Sequence, residues 1–331
     1  MIVQPPFELT VSTTPKYLAG RGFDPALLRV TELAGGVSNI VLLVEHPGGR
    51  FVLKQALPQL RVEQEWFSDM RRIFAECAAL RTLAPKFPAG SVPEVLFEDQ
   101  ANFTFAMTAA PATAESWKAQ LLRGETDDRI AETVARMLGT LIRESWHSSE
   151  MAGRFADIQI FEELRLDPYY RQLSKVSPDL APHFNRLIEN CRTRRVSLVH
   201  GDWSPKNILS FNGRAMAIDF EVIHFGDPSF DAAFLLNHLL LKTFHGIAGA
   251  PHLARVFWRT LQAGMPDAPW FERATLEHLA GLLLARMDGK SPVEYIRDPQ
   301  QKQRIRRFGR RLIEDPPKTI EEVWERHAAD H

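Results

Sequence analysis

The chain reads as an α+β protein, with a small β-rich lobe carrying one helix over residues 1–108 and a larger, mainly helical lobe over 109–331. Three patterns predict this. In the first third, short runs of β-branched and aromatic residues alternate with turn residues. Beyond Ala109, apolar residues recur at three- and four-residue spacing, the period of a helix with one buried face. A single β unit, 196–219, interrupts the helices.

In order along the first lobe, the spacing predicts strands over 30–33, 40–45 and 51–55, the last two joined through His46-Pro47-Gly48-Gly49. A helix is expected over 62–83, closed by Pro85, and a second hairpin over 95–98 and 103–107. In the second lobe, Ile130, Val134, Met137, Leu138, Leu141 and Ile142 define one face of a helix over 130–146. Further helices are expected over 181–192, 230–243, 253–262, 274–287 and 301–312. The segment FEELRLDPYY, 161–170, is dense in charge and aromatics and is expected to stop at Pro168.

Composition narrows the function classes. Lys and Arg number 40 against 41 Asp and Glu, for a net charge of −1, so no basic field holds nucleic acid or an anionic membrane. Neither Cys77 nor Cys191 has a neighbour at metal-ligand spacing, which argues against zinc and against a disulfide framework. The N-terminus lacks the pattern of a signal peptide, and the most apolar stretch, 232–241, is about half the length of a membrane span. A cytoplasmic protein is expected.

The β unit of the second lobe carries the chemistry. A short apolar strand, 196–199, runs into His200-Gly201-Asp202-Trp203-Ser204-Pro205-Lys206-Asn207, and a hairpin through Asn212-Gly213 returns the chain to Asp219. Two carboxylates and an amide therefore converge. Phosphoryl transfer calls for such a set, because its transition state spreads charge over phosphate oxygens and catalysis comes from positioning and a divalent cation. Asp202 can take the proton of an acceptor hydroxyl, while Asn207 and Asp219 supply the hard oxygens Mg²⁺ prefers.

The first lobe offers what an ATP site needs. Gly35, Gly36, Ser38 and Asn39 lie between two strands, where backbone N–H groups can approach phosphates. Lys54 ends the apolar run Phe51-Val52-Leu53 directly after the next hairpin. The next helix offers Glu63, Glu65 and Glu76 as partners for it. Glu76 shares the apolar stripe of Leu80 and Leu83, so its carboxylate faces the packed side and needs a cation, whereas Glu65, beside Asp69 and Arg72, is expected to be solvated.

Gly35-Gly36, Lys54, Glu76, HGDWSPKNIL (200–209) and AIDFE (217–221), in that order, resemble the aminoglycoside phosphotransferase and choline kinase-like family of small-molecule kinases, with its protein-kinase-like two-lobed fold. The resemblance runs from about residue 31 to residue 240. It implies that Lys54, braced by Glu76, holds the α- and β-phosphates of ATP, that Asp202 is catalytic, and that Asn207 and Asp219 bind Mg²⁺. Backbone over 106–109, including Met107 and Ala109, would receive adenine. GDPSFDAAF, 226–234, looks like a family segment whose Asp231 supports the catalytic loop. Ser204 and Lys206 depart from the family pattern, which commonly has His and Gly there.

A peptide acceptor is disfavoured, since only seven residues separate Asp219 from Asp227 and Gly201, rather than an arginine, precedes Asp202. The expected partner is a small hydroxylated acceptor, a metabolite or an aminoglycoside-like compound. Arg165, Asp167, Tyr169, Glu221, Arg286 and Asp288 are the polar candidates for contacting it. The competing expectation is a catalytically silent nucleotide-binding or scaffold protein on the same fold.

Overall fold

The computed structural model describes residues 7–33, 38–61 and 67–330. Gly35, Gly36, Glu63 and Glu65 lie outside the described residues. The chain divides into two compact units, Met1–Ala112 and Thr113–His331.

In the first unit a short helix, α1 (Thr14–Ala19), precedes β1 (Arg29–Glu32), β2 (Asn39–His46) and β3 (Gly49–Ala56). Then come α2 (Arg72–Leu83), β4 (Val95–Asp99) and β5 (Thr104–Thr108). The strands form one antiparallel sheet in the order β1-β2-β3-β5-β4.

Alternation decides which face each side chain joins. Ile40, Leu42 and Val44 of β2 join Phe51 and Leu53 of β3 in one apolar cluster with Leu9, Leu18 and Ala106. Gln55, in phase with Phe51 and Leu53, accepts from Leu9 N and donates to Phe7 O and Asn102 O, which ties the N-terminal segment down. Val52, Lys54 and Ala56 are out of phase and face the opposite side. Residues 51–56 are all buried, so both faces of this strand are covered.

Helix α2 begins at Arg72 and not near residue 62. Asp69 Oδ1 takes the Arg71 N–H at 2.8 Å in a local turn, and Phe67 pairs with Gln59 in an isolated antiparallel bridge. Both interactions compete with helical hydrogen bonds. Arg72 is buried and donates to the carbonyls of Ser38, Leu57, Ser68 and Asp69.

The second unit opens with β6 (Glu115–Ser116), α3 (Trp117–Leu122), α4 (Asp128–Ser145) and α5 (Ser149–Arg154). A continuous helical stretch follows: α6 (Gln159–Phe161), a π-helical segment (Glu162–Arg171) and α7 (Gln172–Val176). Pro168 therefore sits inside a helix that the sequence suggested it would end. The wider i→i+5 register relieves the α-helical requirement for a proline N–H and for room at the carbonyl four residues back.

Next are α8 (Ala181–Thr193), β7 (Ser197–Val199), the hairpin β8 (Ile208–Phe211) and β9 (Arg214–Ala217), and β10 (His224–Gly226). The unit closes with α9 (Ser229–Phe244), α10 (Ala250–Gly264), α11 (Phe271–Asp288), α12 (Pro299–Glu314) and α13 (Ile320–Ala329). Helix α9 is buried on almost every side, the arrangement expected for a central helix that is apolar all round. Strand β10 pairs with β7, and β6 joins the β8-β9 hairpin, so the β content of this unit extends beyond the 196–219 unit the sequence suggested.

Candidate active site

In the first unit, strand phase and helix stripe bring two charges together. Lys54 Nζ lies 2.6 Å from Glu76 Oε2, with the two side chains 3% and 0% exposed. An ion pair this deep persists only when each charge has its partner, since either alone would be stranded away from water. Ser38 and Asn39 are buried where β2 begins, and Asn39 Nδ2 donates to Ser38 Oγ. Met107 is buried in β5 opposite Val52 and Val95, and Ala109 follows that strand half-buried.

In the second unit the loop 200–207 is built on backbone hydrogen bonds to buried side chains. The Asp231 carboxylate, from the first turn of α9, accepts the N–H of His200 at 2.6 Å and of Gly201 at 2.9 Å. Burial pushes that carboxyl up to about 7, against the pull of these two donors. Gly201 has φ +78°, and a Cβ there would stand 2.7 Å from Val222 Cγ1, so only glycine fits the turn.

His200 then bridges the loop to the returning hairpin. Its Nε2 lies 3.1 Å from Ile218 O and its Nδ1 accepts the Asp202 N–H at 3.1 Å. This requires a neutral ring protonated on Nε2, in keeping with burial, which depresses it to about 4. Ile218 N donates to Asn207 O at 3.0 Å, and Asn207 Nδ2 donates to Asp202 O at 3.1 Å. Asp202, Asn207 and Asp219 are thereby brought together. Asp219 has φ +69°, a left-handed conformation that Asp tolerates better than most non-glycine residues.

Asp202 is held by two cations. Arg165, from the π-helical segment, places Nη2 3.0 Å from Asp202 Oδ2 and donates Nε to Gly201 O at 2.6 Å. Lys206 Nζ is 3.3 Å from the same carboxylate oxygen. Burial alone would raise this carboxyl, but Lys206 and Arg165, helped by His200 and Asn207, hold it at about 2. Lys206, in turn, is raised chiefly by Asp202.

The remaining expected residues divide by position. Glu221 is buried and, with Asp219 and Tyr169, acts electrostatically on Arg165. The Tyr169 hydroxyl accepts from Arg286 Nη1 at 3.3 Å, and Arg286 also donates to Ser291 Oγ. Asp167 is exposed and pairs with Arg171, while Asp288 is paired at 2.7 Å with Arg306 of α12. An open groove of about 710 Å³ between α4 and α10, lined by Asp128, Glu132, Arg136 and His252 among others, contains none of these residues.

Sequence reasoning passed over His238, Lys242 and Tyr295, which lie near Arg286. A signal existed for one of them: Lys242 ends a run, 232–241, too apolar to present a solvated face.

The oxygen donors suit a hard divalent cation. Asp219 offers a carboxylate, and Asn207, with its Nδ2 committed to Asp202 O, keeps a carbonyl oxygen. A pair of protein oxygens, with the other ligands left to phosphate and water, is the donor set Mg²⁺ commonly takes in place of a closed protein cage, and no cluster of three or more His, Cys, Asp or Glu side chains able to hold a metal occurs among the described residues. Nor is any helix among them long and apolar enough to cross a membrane.

Known proteins resemble this chain in sequence and in fold. The chain is 29% identical over 264 residues to a methylthioribose kinase of Yersinia enterocolitica, covering 71% of this chain and 65% of that one. It is 26% identical over 271 residues to a methylthioribose kinase of Escherichia coli, covering 71% and 64%. It thus spans just under two thirds of the length of these relatives. Among solved structures, a choline kinase from Cryptosporidium parvum superposes with TM-score 0.57 at 12% identity, over 95% of this chain and 98% of that one. The ternary complex of APH(2")-IIa with streptomycin and ATP superposes with TM-score 0.53 at 16% identity, over 84% and 90%. These structures share the kinase-like fold. Residues 29–271 match the phosphotransferase enzyme family, APH, and the chain belongs to that family.

Proposed function

We propose that this protein transfers the γ-phosphoryl group of ATP to a hydroxyl of a small molecule. The observation that carries the reading is the joint placement of Asp202, Asn207 and Asp219 by the Asp231, His200 and Ile218 hydrogen bonds. Nothing in ordinary turn chemistry calls for three such side chains to be fixed together by buried partners.

Asp202 is the residue that orients the acceptor hydroxyl and receives its proton. Held at about 2 by Lys206 and Arg165, it is ionised throughout the physiological range and is a weak base. It therefore takes the proton late, as bond formation to phosphorus makes the hydroxyl acidic, and its main work is alignment. Arg165 keeps that carboxylate in place. Lys206 is half-exposed and can turn from Asp202 toward a phosphate oxygen.

Asn207 and Asp219 would hold Mg²⁺, which when bound supplies charge neutralisation on the phosphate oxygens. Lys54, directed by Glu76, would bind the α- and β-phosphates. Gly35, Gly36, Ser38 and Asn39 would approach the phosphates through backbone N–H groups, and the chain at Met107 and Ala109 would bind adenine. Glu221, Tyr169 and Arg286 belong to the acceptor's surroundings.

The curated relatives make methylthioribose the first acceptor to try, followed by a panel of amino alcohols, aminoglycosides and hydroxy acids. The test is product detection by ³¹P NMR and mass spectrometry after incubation with Mg²⁺ and ATP. A phosphomonoester whose appearance needs the protein supports the reading. Stabilisation by ATP with no product from any acceptor contradicts it.

A further inference from the structure

Lys242 is 0% exposed, and its ammonium makes no hydrogen bond among the described residues. It stands over the ring of Tyr295, 5.2 Å from its centre. The Tyr295 hydroxyl and Arg286 Nε are also buried without a hydrogen-bond partner. A buried ammonium without an acceptor is costly, and three unmet donors at one place lack the same thing.

The surroundings do not supply it. Lys118, Arg286 and Glu294 all act on Lys242, but Glu294, the one carboxylate among them, is already paired with Lys118. Burial together with the positive field of Arg286, Lys242, Lys118 and Lys206 drives His238 well below its ordinary value, so that ring is neutral. His238, Arg286 and Tyr295 are nevertheless only partly covered, so the cluster reaches the surface.

The cluster is continuous with Asp202. His238 stands one turn before Lys242 on α9 and one turn after Phe234, with its ring 5.2 Å from that of Phe234. Phe234 stacks on Tyr169, whose hydroxyl accepts from Arg286, and carries the Arg165 guanidinium 5.9 Å from its centre. Arg165 holds Asp202. The unmet donors are therefore linked to Asp202 through the packed rings of Phe234 and Tyr169 and through Arg165.

We propose that the acceptor is a hydroxy acid whose anionic group, a carboxylate, binds Lys242, Arg286 and the Tyr295 hydroxyl while its hydroxyl faces Asp202. This rests on the phosphotransferase reading and adds the chemical class of its acceptor. A carboxylate supplies several lone pairs to three convergent donors and neutralises the excess positive charge. A neutral sugar would leave both cations without a counter-charge.

The experiment is isothermal titration of the full chain, with Mg²⁺ and a non-hydrolysable ATP analogue, against D-gluconate and D-glycerate and their uncharged counterparts D-glucose and glycerol. Methylthioribose is titrated alongside. At least one acid is expected to bind tenfold or more tightly than its counterpart and than methylthioribose. Lys242→Met should abolish that preference, and Tyr295→Phe, which keeps the packing, should weaken acid binding severalfold. Equal binding of acid and counterpart, no acid binding, or a preference untouched in both variants would overturn the proposal. Because titration needs no turnover, acid binding without phosphoryl transfer would contradict the kinase reading alone, whereas transfer to methylthioribose without acid binding would contradict this proposal alone.

Discussion

The Arg165 guanidinium and the Asp202 carboxylate form an ion pair at 3.0 Å, with both side chains about nine-tenths buried. The same guanidinium also donates to the carbonyl of Gly201. One side chain from a π-helical segment thus fixes both the carboxylate and the backbone of the loop that presents it. Arg165→Met leaves Asp202 to Lys206 alone and should destabilise the chain by about 3 kcal/mol, as expected for stranding one member of a buried pair. Urea denaturation measures this, and an unchanged midpoint would contradict it.

Asp231 accepts two backbone N–H groups through separate oxygens. Asp231→Asn keeps one acceptor and turns an amide donor toward the other N–H, so stability should fall by about 1–3 kcal/mol. Any transfer activity should fall with it, because the loop is no longer held. A melting curve and an activity assay on the same sample check both.

Lys54 and Glu76 form a pair with almost no exposure. Glu76→Ala should cost about 3–5 kcal/mol, while the double variant Lys54→Met with Glu76→Leu should recover much of that loss because no charge remains buried. Both should lose stabilisation by ATP. Retention of ATP stabilisation in the double variant would remove Lys54 from the nucleotide site.

The pH dependence of stability carries a signature of Lys242. Burial, then Lys118 and Arg286, depress it to about 7 from 10.5, so between those values the unfolded chain binds more protons than the folded one. Stability attributable to this lysine therefore rises with pH from about 7 to about 10.5 and is flat outside that window. The groups facing it are Lys118, Glu294, Arg286, His238 and Tyr295. Subtracting the Lys242→Met profile from that of the unaltered chain isolates the slope; a flat difference would contradict it.

Much of this was legible in the residues, and the exceptions have physical causes. Strand phase gives Lys54 its face, and the stripe through Leu80 and Leu83 gives Glu76 the opposite one, so periodicity suffices to pair them. Asp202, Asn207 and Asp219 were legible because a tight hairpin fixes where the chain returns. Pro168 misled because a π-register is set by packing, which no local pattern shows. The early start assigned to α2 ignored the ability of Asp69 to cap a turn. Asp167 pairs with Arg171 four residues on in the same helical segment, a local pair that spacing alone allows, whereas only the packing of two helices brings Arg306 to Asp288. Lys242 and Tyr295 are 53 residues apart, and only the packing of α9 against the chain after α11 puts the ammonium over the ring.

The most direct test of the central claim is Asp202→Asn assayed for ATP-dependent phosphorylation of the best acceptor, beside ATP-induced stabilisation of the same variant. Asn keeps the shape but cannot receive a proton, so transfer should fall by about a hundredfold to ten-thousandfold while stabilisation by ATP stays near that of the unaltered chain. Transfer within a few-fold of the unaltered rate would contradict the assignment of Asp202 as the residue that receives the hydroxyl proton.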